Sequence, residues 1–152
     1  MNKHNKKEYP PMHTVEHILN ATMVKRFGCS RSFNAHIERK KSKCDYYIQK
    51  EPSASEIKDV ERQVNDVIQQ NLPIKCELVH RSDVSSSVDL SKLPADASQL
   101  LRIVKVGDYD ICACIGSHVN NTSEIGTFRI TTYTYDSDSR VLRIRFKLDN
   151  RK

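Results

Sequence analysis

No apolar run in this chain approaches the ~20 residues that a membrane-crossing helix requires, so no membrane partner is expected. No apolar stretch follows the basic start Met1-Asn2-Lys3-His4-Asn5-Lys6-Lys7, as one would in a secretory signal. The expectation is therefore a cytoplasmic protein. There are five cysteines, an odd number that cannot all pair. Cytoplasmic thiols also stay reduced, so these are read as thiols or ligands rather than disulfides. No internal repeat, low-complexity block or second domain is visible. At 152 residues the chain has the size of one domain. A domain of that size buries roughly 70% of its unfolded surface and needs no staples. Residues 1–11 are expected to be a flexible basic start that ends at Tyr9-Pro10-Pro11, and 12–152 one folded domain.

The net charge is +6. A positive balance suits a polyanionic partner, and its distribution says more than its sum. Lys3, Lys6 and Lys7 gather at one end, and Arg140, Arg143, Arg145, Lys147, Arg151 and Lys152 at the other. Arg39, Lys40, Lys41 and Lys43 form an internal run. Any one of these suits a solvated surface; three runs in one small domain point towards RNA.

Hydrophobic spacing gives the elements. A helix over 12–27 carries Val15, Ile18, Leu19, Thr22 and Met23 as a core stripe, and Gly28 suits its C-cap. Residues 30–39 and 43–49 read as a hairpin with a basic tip. Ser53-Ala54-Ser55-Glu56 is a capping box. It opens a second helix to about residue 70, with a stripe of Ile57, Val60, Val64, Val67 and Ile68. Strands follow at 74–80, 100–106 and 109–114, the last two joined at Gly107-Asp108. Residues 81–98 are polar and Ser-rich and read as a long loop. A final hairpin spans 126–135 and 140–148. The order predicts an α+β fold, a mostly antiparallel sheet with two main helices packed on it.

Two short stretches carry chemistry. His13 and His17 lie about 40° apart around the first helix, almost opposite its core stripe. They are either solvent-exposed or covered by another part of the chain, and the apolar Ala21 and Val24 on the same face favour cover. Cys114 and His118 follow the strand at 109–114. Two imidazoles from one helix face, plus a thiolate and a third imidazole, could hold a transition metal. That donor chemistry selects Zn2+ over magnesium or calcium. Cys112 shares a strand face with Cys114 and reads as an alternative ligand, a support, or a small buried hydrophobe. Cys29, Cys44, Cys76, His4, His36 and His80 lack ligand spacing and read as structural. His13-Thr14-Val15-Glu16-His17 also matches the H-x-x-E-H pattern of inverted zinc peptidases, with Glu16 as base. Those enzymes take a carboxylate as third ligand, and the stretch from Leu78 to Leu100 contains no Glu.

Cys114-Ile115-Gly116-Ser117-His118-Val119-Asn120-Asn121-Thr122-Ser123-Glu124-Ile125-Gly126 resembles the C-G-G-T-H-V-x-N-T-G-E-I-G signature of alanyl-tRNA synthetase editing domains. His13-Thr14-Val15-Glu16-His17 resembles their H-T-x-x-H motif, and Asn71-Leu72-Pro73-Ile74 resembles the family's segment after the second helix. The likeness runs from about His13 to Arg145. There is no synthetase catalytic core, so the chain looks like a short, freestanding editing factor of the AlaX type, related to the second additional domain of threonyl-tRNA synthetase. The resemblance implies an editing-domain-like fold and a zinc-dependent hydrolase. Its substrate would be the acceptor end of mischarged tRNA, seryl- or glycyl-tRNA(Ala). It implies metal ligands at His13, His17, Cys114 and His118. Ser32, with Ser30 second, is the candidate for reading serine's hydroxyl, although an exposed strand serine would look the same. Ser117 and Thr122 are further candidates for substrate contact, and Arg39, Lys40, Lys41 and Lys43 for tRNA. Glu16 is a candidate base or support for the ligands, unless it is merely an exposed helix carboxylate. The chain departs from the signature at Ile115 and Ser123, which replace Gly, and at Ser117, which replaces Thr. A non-catalytic zinc-containing RNA-binding module of the same fold is the alternative reading.

Overall fold

A computed structural model describes residues 9–80 and 100–149. Helix α1 spans Pro10–Phe27, starting two residues before the expected position. Pro10 and Pro11 fit its first turn because N–H groups there have no helical partner. It ends at Gly28, whose φ of 66° is left-handed and whose N–H donates to the Val24 carbonyl. From Thr14 to Met23 every residue of α1 is buried. The helix is thus central, and the face carrying its histidines is covered as well as its apolar stripe.

Strands β1 (Asn34–His36) and β2 (Ser42–Tyr47) form the first hairpin. The expected strand at 30–39 shrinks to three residues for a local reason. The Ser32 N–H donates to the Asn20 side chain, and Arg31 turns its guanidinium to Asp110. The first diverts a backbone donor, so bonding to β2 begins only at the Phe33 N–H, which donates to the Asp45 carbonyl. Helix α2 (Ala54–Gln69) starts at the expected capping box. Glu56 N–H donates to Ser53 Oγ at 3.1 Å, and Ser53 N–H donates to the Glu56 carboxylate at 2.8 Å. Strands β3 (Ile74–His80), β4 (Leu100–Val106) and β5 (Asp110–Ala113) follow. After a 3-10 turn at Thr122–Glu124 come β6 (Thr127–Asp136) and β7 (Val141–Asp149). The long loop expected at 81–98 lies outside the described residues, as do residues 1–8.

The strands form two antiparallel sheets, ordered β1-β2-β7-β6 and β3-β4-β5. The fold is α+β as expected, with the strands divided between two sheets rather than joined in one. Met12, Val15, Ile18, Leu19 and Met23 of α1 share one core with the α2 stripe and with Phe128, Leu142, Ile144 and Phe146. The opposite side of α1 meets β5, where His17 faces Asp110 and Cys112. No helix among the described residues is long and apolar enough to cross a membrane. Ser53→Ala removes the helix cap and should cost about 1 kcal/mol of stability, read as a lower urea midpoint at unchanged slope.

Candidate metal centre

His13 and His17 lie one turn apart on α1, and Cys114 and His118 flank the bend that leaves β5. One donor atom from each of the four lies within 4.8 Å of the others. The rings of His13 and His118 stack at 4.7 Å, and His17 meets His118 edge-on at 4.6 Å. All three rings are held by Nδ1. His13 Nδ1 lies 3.2 Å from the Ser117 carbonyl and His118 Nδ1 lies 2.9 Å from Thr14 Oγ1. His17 Nδ1 lies 3.3 Å from Cys112 Sγ and 3.5 Å from an Asp110 oxygen. With Nδ1 engaged, the Nε2 atoms are the ones that converge. Those of His17 and His118 are buried without a hydrogen-bond partner, and that of His13 lies 3.7 Å from Cys114 Sγ. Buried polar atoms normally find a partner. Lone pairs aimed at one point, with the opposite ring nitrogen anchored, fit a coordinated cation.

The charges agree with that fit. Burial pushes the Cys114 thiol up, but the neighbouring imidazoles of His118, His13 and His17 outweigh it and bring its pKa down to about 3. Burial also works against a charged His17, yet Asp110, Cys112 and Cys114 hold its pKa well above the ordinary range. His118 goes the other way, its pKa lowered by burial and by the neighbouring His17 and His13, and a divalent cation binding at such a cluster releases the protons it holds.

The bend itself is tightly specified. A Cβ on Gly116 would stand 1.7 Å from His13 Cε1, so the backbone passes the ring where only glycine fits. The Arg102 guanidinium donates to the carbonyls of Gly116 and Cys114. Thr14 accepts from the Val119 N–H at 3.2 Å, which ties α1 to the far side of the bend. Ile115, where the editing-domain signature has Gly, is 80% exposed and points away from the cluster.

The other candidates disperse. Glu16 is buried, not an exposed helix residue, and its carboxylate lies 3.9 Å from His13 Nε2. Ser30 and Ser32 sit in the segment before β1, not on a strand. They wall a cavity of about 1250 Å³ with Lys25, Arg31, Tyr109 and Asp110. Ser32 Oγ donates to the Asn34 carbonyl at 2.9 Å. Ser117 is exposed beside the cluster and reaches it through its carbonyl. The Thr122 hydroxyl is fully buried, accepting from the Leu72 N–H and donating to the Ile68 carbonyl. It therefore joins the signature segment to the end of α2. Arg39, Lys40 and Lys41 are exposed in the β1–β2 turn, with Arg39 over the Tyr9 ring, and Lys43 is half-buried on β2. Three residues at the centre were missed in the sequence: Gly116, Thr14 and Asp110. The first two stand inside the quoted motifs, which was the available signal; Asp110 had none.

An α+β domain with three histidines and one cysteine converging across a helix and a strand end is the class that the fold and site define. Residues 101–145 match the family model of the threonyl and alanyl tRNA synthetase second additional domain. The chain is 31% identical over 136 residues to the alanyl-tRNA editing protein AlaX-L of Pyrococcus horikoshii, covering 89% of this chain and 32% of that protein. It is 28% identical over 136 residues to an alanine–tRNA ligase of Methanococcus vannielii, covering 86% of this chain and 15% of the ligase. An alanine–tRNA ligase of Caldicellulosiruptor saccharolyticus is 30% identical over 125 residues, covering 78% of this chain and 14% of the ligase. The chain belongs to the AlaX-type family of alanyl-tRNA synthetase editing domains. It spans about a third or less of the length of these relatives.

Gly116→Ala should displace the His13 ring. Overpacking of this kind costs about 1–3 kcal/mol, so the thermal midpoint should fall by roughly 3–10 °C in a melting experiment.

Proposed function

We propose that this domain is a zinc-dependent hydrolase that removes a wrongly attached amino acid, serine or glycine, from tRNA(Ala). The observation that carries the reading is the convergence of His13, His17, Cys114 and His118, with Asp110, 3.5 Å from His17, also lining the cavity walled by Ser30 and Ser32. The four residues would hold zinc, and three nitrogens with one sulfur are donors it favours. Bound there, zinc supplies Lewis-acid polarisation of a carbonyl or acidification of a water.

The chain's own groups do the rest. The aminoacyl ester is already activated, so the protein has to place it and exclude competitors. Ser30 and Ser32 offer hydroxyls to a serine side chain. A buried polar group left unpaired by alanine costs affinity, and this is how serine would be admitted and alanine spared. Glu16, beside His13 and shielded from solvent, would orient that ring or take a proton at its carboxylate. The exposed Arg39, Lys40 and Lys41, with Lys43, would contact the phosphates of the acceptor stem.

A second reading is a non-catalytic zinc-containing RNA-binding module. Its support is that four protein donors complete a tetrahedron, as structural zinc sites do. The peptidase reading fits less well. Among the described residues the donors that join His13 and His17 are Cys114 and His118, not a carboxylate.

Purified protein should deacylate seryl-tRNA(Ala) at least about 100-fold faster than alanyl-tRNA(Ala). Stripping the metal with a chelator should abolish the reaction, and zinc should restore it. Inertness towards both substrates, with tRNA binding intact, would favour the RNA-binding module instead. In a salt titration, Lys40→Ala and Lys41→Ala should each weaken tRNA binding for cognate and non-cognate tRNA alike. Each should also lower the log–log salt slope by about one for every phosphate that the lysine neutralises.

A further inference from the structure

The His17 ring has two polar neighbours at Nδ1 and no hydrogen-bond partner at Nε2. Cys112 Sγ lies 3.3 Å from Nδ1 and Asp110 Oδ2 lies 3.5 Å from it. A thiol sulfur is a weak acceptor, whereas a carboxylate is a strong one. Asp110 is itself fixed. Arg31 donates from Nη1 to Oδ1 at 2.8 Å and from Nη2 to Oδ2 at 3.2 Å. This is a bidentate fork, which gives directional as well as energetic definition. The side chains of His17, Asp110 and Arg31 are 1%, 6% and 9% exposed.

We infer that Asp110 is a positioning residue for His17, turning its Nε2 into the cluster, and that Arg31 holds Asp110 in the orientation this requires. The inference rests on the proposed metal role of His17. Its physical content is a choice between nitrogens. The nitrogen that faces a metal is set by the hydrogen bond made by the other. Rotating the imidazole by half a turn would bury Nε2 against a carboxylate and point Nδ1 at the cluster. Asp110, on the first residue of β5, makes the observed orientation the favoured one. A buried ion pair is a poor source of net stability, because desolvation offsets the attraction. A role in orientation accounts for a buried Arg–Asp fork at this place.

Arg31 belongs to the segment that leaves the expected strand, and that segment carries Ser30 and Ser32. Asp110 and Arg31 both line the cavity. One carboxylate therefore ties the cavity wall on one side to a cluster ligand on the other, and movement of the wall would reach the His17 ring through two short contacts.

The test measures metal affinity in the full chain, apart from catalysis. Zinc dissociation constants come from competition with a chromophoric chelator, and the ligand field from the visible spectrum after cobalt loading. Asp110→Asn should weaken zinc binding by about 10–100-fold and shift the cobalt spectrum. Because Asp110→Asn takes the carboxylate away from a buried guanidinium, Arg31→Met/Asp110→Leu serves as the second variant. An apolar pair of similar volume is usually tolerated by the fold, yet it too should lose the affinity. Cys112→Ala, which removes only the weaker of the two neighbours of Nδ1, should lose much less zinc affinity than either Asp110 variant. Wild-type affinity in both Asp110 variants, or a large loss in Cys112→Ala alone, overturns the inference while leaving the metal reading intact. If the unaltered chain binds neither zinc nor cobalt, the metal reading falls and takes this inference with it.

Discussion

Three imidazoles and a thiol share one small volume in this domain, and each ring is held there by the nitrogen it turns away. Ser117 holds His13, Thr14 holds His118, and His17 rests between Asp110 and Cys112. That geometry requires α1 and the bend after β5 to stay in register. Gly116 lets the backbone pass the His13 ring, Arg102 gathers the carbonyls of the bend, and the Val119 N–H closes onto Thr14. None of these interactions is large. They act together because each removes one remaining freedom of the rings.

The position of α1 follows from the same constraint. A helix buried along one stripe could leave its histidines in water, where their lone pairs would be hydrated. This helix is buried from Thr14 to Met23, so its polar side chains need partners within the protein. Asn20 accepts from the Tyr46 hydroxyl at 2.7 Å and from the Ser32 N–H at 3.2 Å. Thr22 donates to the Ile18 carbonyl and shares a hydrogen bond with the Tyr109 hydroxyl. The network that satisfies the helix also positions the segment before β1 and the β4–β5 turn, and these are the walls of the cavity. Burial of the helix and construction of the cavity are one arrangement.

The departures from the editing-domain signature read differently once the fold is known. The side chain of Ile115 is exposed and so does not crowd the packing of the bend. Gly116, one residue on, is where the chain keeps the glycine that the His13 ring demands. Ser123 is exposed in the 3-10 turn, with its N–H bonded to the Asn121 side chain. The Thr122 hydroxyl binds the end of α2. The second half of the signature thus bonds to itself and to the end of α2, while the cluster takes Cys114 and His118 from its first five residues.

What the sequence alone determined was local. The capping box at Ser53, the stripe of α2, the turn at Gly107-Asp108 and the C-cap at Gly28 all appear as read. Each depends on neighbours within one or two turns of chain. His13 and His17 were legible as a pair because four residues make about one helical turn, whereas Cys114 and His118 stand in the irregular bend after β5, where no period relates them. The motif likeness set the two pieces side by side. Only the tertiary structure decided that Glu16 is buried, that Ser30 and Ser32 leave the ladder, that the strands divide into two sheets, and that Asp110 stands behind His17. The reason is the range of the forces involved. Propensity and periodicity record contacts a few residues apart, whereas the Arg31–Asp110 and Asp110–His17 contacts join positions 79 and 93 residues apart, and nothing in the pattern around an isolated aspartate records which distant side chains will come to face it.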